Sequence, residues 1–207
     1  NVAIGHAALG ANTTGNGTAV GGYCLDAATT AVNNTAVGYA ALSACTTGPY
    51  NTAVGTNAGT ALVDSENTTL VGEGAGVAIT TGNVNTCIGQ DSGNTLTTGS
   101  GNVMLGALTQ SAAAGADQQV VIGYNITSKG TQTGFISPAG GAMYNGQNST
   151  VWVVDSDRRI KKNIVDNTNG LDIINQIRVR NYEYRTLDEI VDFDNPKAAV
   201  VEQEGIQ

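Results

Sequence analysis

Apolar and polar positions along this chain recur with a fixed long period. Eight times in the first 123 residues an aliphatic residue is followed by glycine, at Gly5, Gly21, Gly38, Gly55, Gly72, Gly89, Gly106 and Gly123. The first interval is 16 residues and the other six are 17. The residue before each glycine is Ile4, Val20, Val37, Val54, Val71, Ile88, Leu105 or Ile122. Two before it stand Ala3, Ala19, Ala36, Ala53, Leu70, Cys87, Met104 and Val121, and three before it Thr or Val. Asn recurs four before it, at Asn1, Asn34, Asn51, Asn85 and Asn102, and Thr-Thr-Gly turns begin at Thr13, Thr46, Thr80 and Thr97. A fixed period of this length marks a stacked repeat, in which no copy can bury its apolar face alone.

Each Asn-Thr-Ala-Val-Gly run predicts a strand of four or five residues, β-branched and bounded by Asn and Gly. Strands of successive repeats would stack about 4.8 Å apart, so eight coils span about 35–40 Å. The repeated glycine fits a position of positive φ or close backbone approach. The Asn column predicts a ladder of side-chain amides. The fold class expected is mostly β, a β-roll or β-helix shaft over residues 1–123. Only two or three columns are reliably apolar, which is a thin core for one chain. The expectation is therefore a parallel homotrimer with Val20, Val37, Val54, Val71, Ile88 and Leu105 facing inward; the alternative is a monomeric β-helix.

The period stops after Gly123. Residues 124–155 read as a connector of short strands, with apolar runs such as Gly134–Ser137 and Val151–Val154. Charge changes abruptly beyond it. Residues 1–150 hold one basic residue, Lys129, and six acids, whereas 151–207 hold eight basic residues and eleven acids. That step marks a domain boundary. In the last segment Leu171, Ile174 and Ile177 give a short helix an apolar face, and Val179–Tyr184 alternates as a strand, so a small α+β unit is expected.

Net charge of −8 argues against nucleic acid or an anionic membrane as partner. No apolar stretch is long enough to span a membrane. Cys24, Cys45 and Cys87 fall in three different columns and read as buried free thiols. His6 is the one histidine, which offers no metal site, and no cofactor is expected. The acids of residues 1–150 are scattered, with no pair beyond Asp64 and Glu66, so no glycosidase activity is expected.

The junction reads Ser156-Asp157-Arg158-Arg159-Ile160-Lys161-Lys162-Asn163-Ile164, followed by Gly170-Leu171-Asp172-Ile173-Ile174-Asn175-Gln176-Ile177 and Asn181-Tyr182-Glu183-Tyr184-Arg185. This segment, 156–207, resembles the beginning of the intramolecular chaperone auto-processing domain at the C-terminus of phage tail fibres, tailspikes and endosialidases. It is similar to the form in tail fibres of phages that infect marine cyanobacteria, whose domain continues beyond the length of this segment. The Asn-Thr-Ala-Val-Gly repeats resemble head repeats of trimeric autotransporter adhesins.

The resemblance implies a trimer whose C-terminal domain assists assembly and then cuts itself away. It makes Ser156 the catalytic nucleophile and Lys161 its base, with Asp157 and Arg159 in structural roles. A serine hydroxyl needs such a base, and a lysine serves when burial lowers its pKa. The function implied is a segment of a viral tail fibre for host attachment, assembled in the host bacterial cytoplasm and carried on the virion. Its partners would be its own copies, other tail-fibre or virion proteins, and a host surface glycan or protein receptor. The other reading is a bacterial trimeric surface adhesin.

Overall fold

The computed structural model describes residues 1–12, 16–138, 142–146 and 152–154. The chain divides into two units, Asn1–Asp157 and Arg158–Gln207, and the described residues all lie in the first. The expected helix at 171–177 and strand at 179–184 lie outside the described residues. Among the described residues the structure is β with turns, and no helix occurs.

Each repeat contributes one short strand: β1 (Val2–Ile4), β2 (Gly17–Val20), β3 (Asn34–Val37), β4 (Thr52–Val54), β5 (Thr69–Val71), β6 (Thr86–Ile88) and β7 (Val103–Leu105). There follow β8 (Thr109–Gln110), β9 (Val120–Gly123), β10 (Ile126–Thr127), β11 (Gly134–Ser137), β12 (Met143–Asn145) and β13 (Val153–Val154). One 11-stranded sheet runs β1-β2-β3-β4-β5-β6-β7-β9-β11-β12-β13, and β8 and β10 pair separately. From β1 to β11 every neighbour is parallel, as a solenoid requires, and identical columns meet: Ala36 lies against Ala53, Val37 against Val54. The rung β9–β11 takes only 14 residues, pairing Val120 with Gly134. The stack thus continues one strand beyond the last repeat glycine. Then β12 and β13 turn back antiparallel.

The repeat glycines show why that position excludes a side chain. Gly38 has φ +130°, and a Cβ there would stand 2.5 Å from the Gly55 carbonyl oxygen of the next coil. The backbones of successive coils approach too closely for any Cβ at this corner. Turns stack as well as strands. The N–H of Asn57 donates to the Tyr39 carbonyl at 2.9 Å, and that of Asp91 to Glu73 at 2.8 Å. Both donors have left-handed φ, +57° and +51°, which aims the N–H along the solenoid rather than across it.

Inside the coil, the Asn column is buried and forms the expected ladder. The Asn51 side-chain oxygen accepts from the Thr68 N–H at 3.0 Å, while its amide nitrogen donates to the Ser65 carbonyl at 2.7 Å. Asn85 and Asn102 repeat this pattern two and three coils on. Where Thr68 replaces Asn, its hydroxyl is too short to reach the matching Gly82 carbonyl. Ser65 replaces the usual glycine of that coil, and its hydroxyl contacts Thr68 Oγ1 at 3.1 Å and donates to the Gly82 carbonyl. Two hydroxyls thereby do the work of one amide.

The core corrects two expectations. First, the chain encloses its own core instead of needing three chains to make one. The column two before the glycine is fully buried from Ala19 to Val121, and it meets two further inward columns, Leu25 and Leu42 on one turn and Cys45, Leu62, Ile79 and Leu96 on another. Second, the column directly before the glycine does not face that core. Side chains alternate across a strand, so with Ala53 inside, Val54 points out and is 38% exposed; Ile88 is 41% exposed.

Candidate functional site

Ser156 and Lys161, the residues that the sequence marks for auto-processing, lie outside the described residues, as do Asp157, Arg159 and Lys162. The surfaces with geometry are those of the solenoid. The most regular is the outward face of the parallel sheet. It carries two columns: Thr18, Thr35, Thr52, Thr69 and Thr86, then Val103 and Val120; and beside them Ile4, Val20, Val37, Val54, Val71, Ile88, Leu105 and Ile122. Every member of the aliphatic column is half-buried or exposed. No charged residue interrupts either column. Strand alternation places both there, a consequence visible once the inner column is known.

The three thiols are buried and free. Burial pushes Cys45 up from 9.0 to about 11 and Cys87 to about 12, and raises Cys24. A thiol held protonated is neither nucleophile nor metal ligand at neutral pH. Among the described residues no group of three or more His, Cys, Asp or Glu could hold a metal ion. Asp64 and Glu66 are exposed on a turn.

Aromatic residues gather at one corner: the His6 and Tyr23 rings lie 5.1 Å apart and those of Tyr23 and Tyr39 lie 5.7 Å apart, edge to face. The end of the solenoid holds a groove under Trp152. The sequence showed Trp152 only as part of an apolar run, with no hint of the glutamines that the coil brings beside it.

Residues 156–204 match the family described as chaperone of endosialidase. No curated protein and no solved structure matches the chain. The matched segment begins at the serine that the sequence motif marks, and a β-solenoid of 17-residue coils precedes it.

Proposed function

We propose that this chain is a structural segment of a viral tail fibre that serves host attachment, in which three parallel copies associate and the C-terminal chaperone domain assists that assembly before cutting itself away at Ser156. The observation that carries the reading is the order of parts: a chaperone-of-endosialidase segment at 156–204 directly follows a solenoid with an uncharged aliphatic column along its outer face. A stack of eight aliphatic residues at constant spacing is costly to leave in water, at about 25 cal/mol per Å² of apolar surface. Parallel copies in register would bring like columns together around a common axis. The column then faces outward from its own coil and inward to the assembly.

Ser156 supplies the nucleophilic hydroxyl, and Lys161, as neutral amine, accepts its proton. Attack on the adjacent backbone carbonyl replaces the peptide bond by an ester, with the proton passed to the leaving amine; water then hydrolyses the ester and releases the chaperone, so assembly becomes irreversible. The bacterial surface adhesin reading lacks a reason for the chaperone segment and is the weaker of the two. The test is denaturing electrophoresis of the full-length protein beside Ser156→Ala, Lys161→Ala and Lys162→Ala. The first two are expected to stay whole and the third to be cut. Processing of Ser156→Ala like the parent overturns the serine assignment; a block by Lys162→Ala alone moves the base to Lys162.

A further inference from the structure

The end of the solenoid holds a groove of about 560 Å³ lined by Gln118, Gln132, Thr133, Asn145 and Trp152 over Val120 and Ile136. Its floor follows from pairing. Gly134 stands between Val120 on one side and Asn145 on the other. The antiparallel register of β12 and β13, carried one residue further, sets Trp152 beside Asn145. Gly134 has no side chain, and the indole lies over it: a Cβ there would stand 2.7 Å from Trp152 Cη2. The indole is nonetheless 48% exposed.

The wall is made of amides. Gln118 and Gln132 occupy equivalent corners of successive coils, both with left-handed φ, +54° and +57°. Their backbone N–H groups are fixed to the coil before, on the Ser100 and Asp117 carbonyls at 2.9 and 2.8 Å. Gln132 Nε2 donates to Gln118 Oε1 at 2.9 Å. Among the described residues no protein group pairs with the remaining Gln118 amide hydrogens or with Gln132 Oε1. A donor and an acceptor therefore stand side by side on rigid backbone, with an aromatic face adjacent and no charged side chain among the described residues that line this groove. A second groove shares Gln118 and Gln132, adds the Asp117 carboxylate, and runs along the corner past Gly101 to Val84.

From this we infer that the groove is a binding site for a neutral oligosaccharide. The chemistry matches term by term. The apolar C–H face of a pyranose stacks on an indole, and adjacent hydroxyls each need a donor and an acceptor, which the paired amides present. A pocket of this size with an apolar floor and a few placed polar groups suits a sugar ring, and the continuing furrow suits a chain of them. A phosphorylated or sulfated ligand finds no cation here. The site does not rest on self-cleavage; its floor, Val120 and Ile136, is the far end of the same outward face that the proposed association uses.

Trp152 is the single tryptophan of the chain, so its fluorescence reports this site alone. The experiment titrates the whole chain with neutral gluco-, galacto- and manno-hexasaccharides at millimolar concentration, following emission and heat of binding. At least one sugar is expected to give a saturable emission change that persists at high salt. Trp152→Ala should weaken that binding about tenfold or more, and Gln132→Ala about threefold. Tyr50→Ala, on a distant coil, should leave it unchanged, and an unaltered circular dichroism spectrum identifies variants that fold. No response to any sugar in the panel overturns the inference. So does binding that both groove variants leave intact, or binding that salt abolishes.

Discussion

At Gly38 the backbone of the next coil fills the space a side chain would need, so the residue scale sets how closely coils stack. Gly38→Ala should lower stability by about 2 kcal/mol or more, since it combines strained φ with a contact to backbone that cannot move aside. Gly22→Ala, where a new Cβ meets the Tyr39 ring at 3.6 Å and the His6 carbonyl oxygen at 3.9 Å, both ordinary contacts, should cost little. Thermal melts of the two variants decide this. The buried polar ladder offers a sharper test. Ser65→Gly alone strips the Gly82 carbonyl of its donor, and Thr68→Asn alone brings an amide to a place the Ser65 hydroxyl already fills. Together they restore the arrangement of Asn51 and Asn85. The double variant should be more stable than the sum of the singles by about 1 kcal/mol or more, measured by denaturant unfolding. The Asn ladder and the glycine column were legible in the sequence because one residue type recurs in each. The Ser65–Thr68 exchange was not, because it reads as two separate departures from their columns, and only the coil brings the Gly82 carbonyl to them.

At the scale of the coil, size is traded between columns and between neighbouring coils. In the early coils the strand column is small, Ala19, Ala36 and Ala53, and the turn column is large, Leu25 and Leu42. From β5 onward this reverses. Leu70, Cys87 and Met104 fill the strand column, and Gly76 and Gly93 line the turn; in the coil between, Ala53 and Gly59 are both small, and Leu42 and Leu70 reach into the space from either side. A Cβ on Gly76 would stand 2.5 Å from Leu70 Cδ2, and one on Gly59 2.6 Å from Leu70 Cδ1. That exchange explains why the sequence suggested too thin a core: neither column is apolar and large throughout, yet a large side chain of the same or a neighbouring coil fills each small position. Leu70→Ala should cost about 2–5 kcal/mol, because the flanking glycines cannot refill the space.

The thiols in the same core give a pH signature. Folded Cys45 and Cys87 keep their protons to about 11 and 12, while the unfolded chain releases them near 9.0. Between those values the unfolded state binds fewer protons, so stability is full below pH 9 and falls as pH rises toward 11 and 12. Each thiol contributes up to about 1.4 kcal/mol per pH unit across that window. Cys87→Ala should flatten the alkaline fall in melting temperature.

Over the whole molecule, the account turns on which way the aliphatic column faces. The sequence made the column plain but assigned it to the inside, because period alone cannot say which side of a strand is the core. The structure puts Ala53 inside and Val54 outside, and this separates folding from association. Ala53→Asp should destroy the coil by burying an unpaired carboxylate. Val54→Asp should keep the β spectrum and disrupt assembly, and Thr56→Asp, at an exposed corner, should do neither. The proposed auto-processing pair, Ser156 and Lys161, was legible only as a motif, since such residues gain meaning from how a folded domain presents them. The most direct test of the central claim is the native mass of the intact chain at micromolar concentration, beside that of Val54→Asp. Three copies of the 21.0 kDa chain, falling to one in Val54→Asp with its circular dichroism unchanged, is the expected result. A parent chain that runs as a monomer, or a trimer indifferent to Val54→Asp, would contradict the account.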